Sequence, residues 1–140
     1  MRPTILWIDD FAGALTMYKF MFENLGFRVL TALCGEQGIR LAAVHRVDVV
    51  VTDYEMPGMN GEAVALAIKA MNPRIPVVLF SGSTLIPSRV LKVVDACCDK
   101  AGSRDQLLGA LHRFLVRKGS HMLQPPPVAQ ASEHLERTVA

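Results

Sequence analysis

The sequence lacks any block of like charge. Its 15 basic and 13 acidic residues are scattered, for a formal net charge of +2. Without a basic stripe or a helix-turn-helix pattern, direct nucleic-acid binding has no footing, and without an acidic run there is no solvating arm. No apolar run approaches the roughly 20 residues that cross a bilayer, so no membrane span is expected. The opening MRPTILWIDD has neither the apolar stretch nor the small-residue cleavage site of a signal peptide. Three cysteines, Cys34, Cys97 and Cys98, give an odd count with no CxxC. That argues for free thiols in a reducing, cytoplasmic compartment. Cys97 and Cys98 fall on a predicted strand, where neighbouring side chains point to opposite faces, and buried thiols are expected.

What the chain does have is apolar residues, 51% of its length, which excludes wholesale disorder. Its 140 residues suffice for one domain burying about two thirds of the unfolded surface. Short apolar runs at Thr4–Ile8, Phe27–Leu33, Val47–Thr52, Pro76–Phe80 and Ala96–Cys98 read as buried strands. Helical patterns alternate with them. Phe11, Leu15, Tyr18, Phe22 and Leu25 are spaced 4, 3, 4, 3 along one face, and Gly26 supplies a stop. Gly35–Val44 is a second helix with Ile39 and Ala43 inward, although Gly38 weakens it. A third, from Asn60 or Gly61 to Met71, turns Val64, Ile68 and Met71 inward. A short fourth covers Pro87–Val94. Ser103 opens the fifth with a capping box to Gln106 and a buried face of Leu107, Leu108, Leu111, Phe114 and Leu115. Strand–helix alternation repeated five times predicts a doubly wound, five-stranded parallel α/β sheet.

Several polar residues stand where these strands end: Asp9 and Asp10 after the first, Asp53 after the third, Ser81 after the fourth and Lys100 after the fifth. In open α/β sheets this carboxyl edge is where ligands bind, and strands one and three flank the switch point. Taken singly, Asp10 is an ordinary helix cap, Ser81 a turn residue and Lys100 a solvated lysine. Taken together, three converging carboxylates favour a hard divalent cation such as Mg2+, with Lys100 as point charge and Ser81 as hydroxyl donor. That set suits phosphoryl transfer.

The acidic pair in LWIDDF, the segment VVVTDYEMPGMNG, the SGS after strand four, and Lys100 together resemble the receiver domain of two-component response regulators, the CheY-like family. The resemblance spans residues 1–118 and implies a flavodoxin-like (βα)5 fold of strand order 2-1-3-4-5. It implies Asp53 as phosphoacceptor from a sensor histidine kinase or His-phosphotransfer protein. Mg2+ would be held by Asp10, Asp53 and the backbone carbonyl of Glu55, with Asp9 acting through water. Ser81 and Lys100 would meet the phosphoryl group. Output would pass to a downstream protein partner through an altered surface, and homodimerisation is compatible with it. The Glu55 side chain, two positions past Asp53, is a further candidate for slowing hydrolysis of the phosphoaspartate.

Departures from the family pattern accompany these matches. Ala101 follows Lys100 where a proline is usual, and Cys97 stands where a switching aromatic is usual. The Ser81–Lys100 interval is short, so helix four is expected to be truncated. These departures keep open a receiver that binds partners without phosphorylation. A Mg2+-dependent phosphohydrolase is the enzymatic rival, but no insertion provides a cap over the site. Residues 119–140, with Pro125–Pro127, read as a flexible tail, and Gly119-Ser120-His121-Met122 also resembles a cloning remnant. Trp7, two residues before Asp9, is a candidate fluorescence reporter whose face the sequence leaves open.

Overall fold

The computed structural model describes residues 2–83 and 85–118. Five strands, β1 (Thr4–Ile8), β2 (Arg28–Ala32), β3 (Val49–Thr52), β4 (Val77–Ser81) and β5 (Ala96–Asp99), alternate with helices α1 (Ala12–Asn24), α2 (Gly35–Val44), α3 (Gly61–Met71), α4 (Ser88–Leu91) and α5 (Arg104–Lys118). All neighbouring strands pair in parallel, in the order β2-β1-β3-β4-β5. This is the doubly wound sheet that the alternation predicted. The expected tail, 119–140, lies outside the described residues.

The pleat divides the strands between two cores. Ile5, Trp7, Val49, Val51, Val78, Phe80 and Cys98 face one side, beneath α1 and α5. Leu6, Ile8, Val50 and Val77 face the other, beneath α2 and α3. Helix α5 buries the whole predicted row from Leu107 to Leu115, and Ser103 Oγ accepts the Gln106 amide at 3.3 Å.

Three inward assignments fail, all near helix ends. Phe11 lies outside α1 in extended backbone (φ −103°, ψ 107°), so helical periodicity does not reach it, and it is exposed. Met71, the last residue of α3, is exposed as well. Ala43 is exposed too. In α2 the inward row begins with Gly35 and Gly38 instead. A Cβ at Gly38 would collide with the Ile8 side chain, so the glycine that weakens the helix is what lets it sit close to β1.

Candidate phosphoryl-transfer site

The strand ends converge as expected. β1 and β3 are adjacent, and the Asp53 amide donates to Ile8 O at 3.0 Å, which fixes Asp53 beside the end of β1. The Lys100 amide donates to Ser81 O at 3.0 Å, which fixes the end of β5 against β4. Carboxylate oxygens of Asp9, Asp10 and Asp53 lie within 4.8 Å of one another.

Lys100 closes the group. Its Nζ donates to Asp9 Oδ2 at 2.7 Å and to Asp53 Oδ2 at 3.1 Å. Burial works against the ammonium form, but these bonds and the two negative charges outweigh it, so the lysine pKa lies above its ordinary value. The side chain is therefore a fixed cation at neutral pH. Asp53 Oδ1 accepts the Tyr54 amide at 2.8 Å, so both of its oxygens are engaged. Ser81 is buried, and its Oγ accepts the Ser83 amide at 3.1 Å, leaving the hydroxyl proton free to donate elsewhere.

The two N-terminal acids divide their work. Asp9 is 1% exposed, and its Oδ1 accepts the Phe11 amide at 3.0 Å. Asp10 is exposed and caps nothing, since the N-cap position of α1 is Phe11 and no side chain caps it. The bland reading of Asp10 as a cap therefore falls. Three oxygen-only donors from three carboxylates, one of them solvent-facing, fit a hard cation such as Mg2+. Glu55 is exposed on the β3–α3 loop and is not among the converging carboxylates; with Tyr54, Met56, Pro57 and Asn60 it borders an open hollow of about 520 Å3.

The loop after Asp53 is held from below. Asn60 Oδ1 accepts the Ala63 amide at 3.0 Å and caps α3, and the Gly61 amide donates to Tyr54 O at 2.8 Å. A Cβ at Gly61 would lie 2.5 Å from Asp53 O and 2.9 Å from Leu79 Cδ2. Only glycine lets α3 start this close to the site.

One neighbour escaped the reading of residue patterns. Tyr18 was assigned to the core by helical spacing. Its phenol also lies in the electrostatic field of the site: burial pushes its pKa up, the Lys100 charge opposes that, and Asp9 and Asp53 add to it. Nothing in the spacing of α1 indicates that its second turn faces Lys100, just past the end of β5. At β5 itself, Cys98 is buried but Cys97 is exposed, contrary to expectation. The two thiols do point to opposite faces, one buried and one exposed.

A sheet of this order with acids and a lysine at its carboxyl edge defines the CheY-like class of flavodoxin folds. Residues 5–110 match the response regulator receiver domain, and the chain belongs to that family. It is 31% identical over 121 residues to the transcriptional regulatory protein PrrA of Mycobacterium tuberculosis, covering 84% of this chain and 52% of PrrA. The chain thus spans about half the length of the regulators it matches. Among solved structures, a response regulator receiver domain from Clostridium thermocellum superposes with a TM-score of 0.76 at 29% identity, covering 83% of this chain and 96% of that one. The receiver domain of a Pseudomonas aeruginosa sensor histidine kinase, solved with a magnesium ion coordinated in its active site cleft, gives 0.74 at 25% identity, covering 82% and 98%. The chain is thus a receiver domain of two-component response regulators, a signalling module. Among the described residues, no helix is long and apolar enough to cross a membrane.

Proposed function

We propose that this receiver takes a phosphoryl group on Asp53 from the phosphohistidine of a sensor kinase or phosphotransfer protein, with Mg2+, and signals through a changed protein-interaction surface. The observation that carries the reading is Lys100 bonded to both Asp9 and Asp53, with Asp10 alongside. An Asp53 oxygen attacks phosphorus, the P–N bond breaks, and the imidazole leaves with the electron pair. The product is a mixed anhydride, and its hydrolysis resets the signal.

A carboxylate is a poor nucleophile toward a phosphoanion unless positive charge screens the approach. Lys100 provides part of that charge by re-aiming from Asp53 to the incoming oxygens. The Ser81 hydroxyl donates to the phosphoryl group once it has arrived. Asp10, Asp53 and the Glu55 carbonyl would hold Mg2+, with buried Asp9 acting on it through water and steadying Lys100 directly. When bound, Mg2+ supplies the remaining screening charge. The magnesium seen in the P. aeruginosa receiver supports this assignment. The exposed Phe11 and Phe20, with a groove of about 380 Å3 along α1 bordered by Leu15, Thr31 and Leu33, give a phosphodonor protein apolar footing beside the site.

The test is incubation with Mg2+ and acetyl phosphate, read by intact mass, with Asp53→Ala as control. A base-labile, acid-stable adduct on the wild type alone is expected. Absence of both adduct and Mg2+ binding would sink the proposal, and continuous turnover of phosphomonoesters would replace it with a hydrolase.

A further inference from the structure

Among the described residues, the buried aromatic rings are all on one side of the sheet. The core beneath α1 and α5 contains Trp7, Phe22, Phe27, Phe80 and Phe114, with Tyr18 packed against it, and the core beneath α2 and α3 contains none. Three of these rings form a closed triangle directly under the site. Trp7 stacks on Tyr18 at 4.6 Å between centroids with planes 13° apart. Phe80 meets Tyr18 edge-on at 5.5 Å and Trp7 edge-on at 6.0 Å. Each ring has its own link to the chemistry. Trp7 is two residues before Asp9 on β1, and Phe80 immediately precedes Ser81 on β4. Tyr18 lies in the field of Lys100.

Resting on the assignment of Asp53 as phosphoacceptor, we infer that the Trp7–Tyr18–Phe80 triangle is the relay that carries the phosphorylation event to α1, with the Tyr18 ring as its moving part. A phosphoryl group on Asp53 adds negative charge beside Lys100 and draws both Lys100 and Ser81 toward it. A shift of Ser81 displaces Phe80, whose edge bears on the Tyr18 ring. A shift of the Lys100 charge acts on the Tyr18 phenol directly. Tyr18 is partly buried and in contact with both other rings, so a displacement of either bears on it, and its side chain couples that displacement to α1. The opposite route is poorly built. Leu79 and Cys97 are the register partners between β4 and β5, Cys97 is exposed, and α4 is four residues long. No ring stands on that face of β5 to follow Ser81.

Trp7 is the only tryptophan, so its emission isolates the triangle. Wild type, Tyr18→Leu and Tyr18→Phe are treated with Mg2+ and acetyl phosphate. Adduct is followed by intact mass, Trp7 emission in parallel, and amide hydrogen exchange across α1 and α4. In the wild type, Trp7 emission is expected to change in step with adduct, and exchange to change in α1. Tyr18→Leu should form the adduct but lose both responses, and Tyr18→Phe, which keeps the stacked ring, should retain them. If Tyr18→Leu does not fold by far-UV circular dichroism, Phe80→Leu, which removes the edge contact on the same ring, must show the same loss. Adduct with unchanged Trp7 emission, responses undiminished in the leucine variant, or exchange changes confined to α4 would overturn the relay and leave Asp53 as phosphoacceptor. No adduct on the wild type overturns both.

Discussion

The two flanks of the sheet past β1 are built on different principles. Beneath α1 and α5 the interior is thick and aromatic, with a 15-residue helix burying Leu107, Leu108, Ala110, Leu111, Phe114 and Leu115. Around α4 and β5 the cover is a single helical turn with one fully buried side chain, Val90. Polar ties take the place of packing there. Arg89 on α4 makes a bidentate pair with Glu62 on α3, both bonds at 3.1 Å. Lys69 Nζ donates to Asp95 Oδ2 at 2.6 Å and Ile75 O at 2.8 Å, and the same Asp95 oxygen accepts the Val77 amide at 2.8 Å, which anchors the start of β5. Dispersion and area burial hold the first flank. Hydrogen bonds exchangeable with water hold the second. The first can transmit a displacement through contacts, whereas the second can open without disturbing the core.

Truncating one core residue on each flank tests that contrast most strongly. Phe22→Ala, in the aromatic core, is expected to cost about 3–5 kcal/mol in chemical denaturation, through lost transfer energy and the cavity left behind. Val90→Ala should cost about 2 kcal/mol, the value of two methyl groups at a site whose thin cover collapses easily. Equal losses would mean that α4 is as firmly packed as α1. Lys69→Met should cost about 1 kcal/mol, since Asp95 stays bonded to the Val77 amide and remains partly exposed. That variant should also speed amide exchange at the start of β5. Arg89→Ala should be the mildest of the four, because the arginine is largely solvent-exposed and its ion pair is screened by water. Its effect should appear as faster exchange in α4 with an unchanged melting temperature. A large loss from Arg89→Ala would show that the ion pair, and not Val90, holds α4 in place.

Much of the site was legible because its signals are local. An apolar run that stops at a carboxylate before Pro57, Gly58, Asn60 and Gly61 announces a strand end and a loop whatever the rest of the chain does. The same holds for Asp9 and Asp10 after TILWI and for Ser81 before Gly82. Helix ends were less legible. Phe11, Ala43 and Met71 fit an inward period, yet each lies near a helix end, and periodicity carries no information about where its partner surface stops. Gly38 read as a weakness because its reason, the Ile8 side chain, belongs to a strand about 30 residues earlier.

The sequence by itself determined the alternation of strands and helices, the family, and which residues would stand at the carboxyl edge, since hydrophobic period and turn chemistry act over a few residues. Tertiary structure alone decided what those residues do to one another. It brought Lys100 onto Asp9 across 91 positions, left Asp10 facing solvent while burying Asp9, and exposed Cys97 while burying Cys98. It also turned Tyr18 from a core residue of α1 into the ring between Trp7 and Phe80. Such contacts depend on how crossovers lay helices across strands distant in the chain, and no local pattern encodes that.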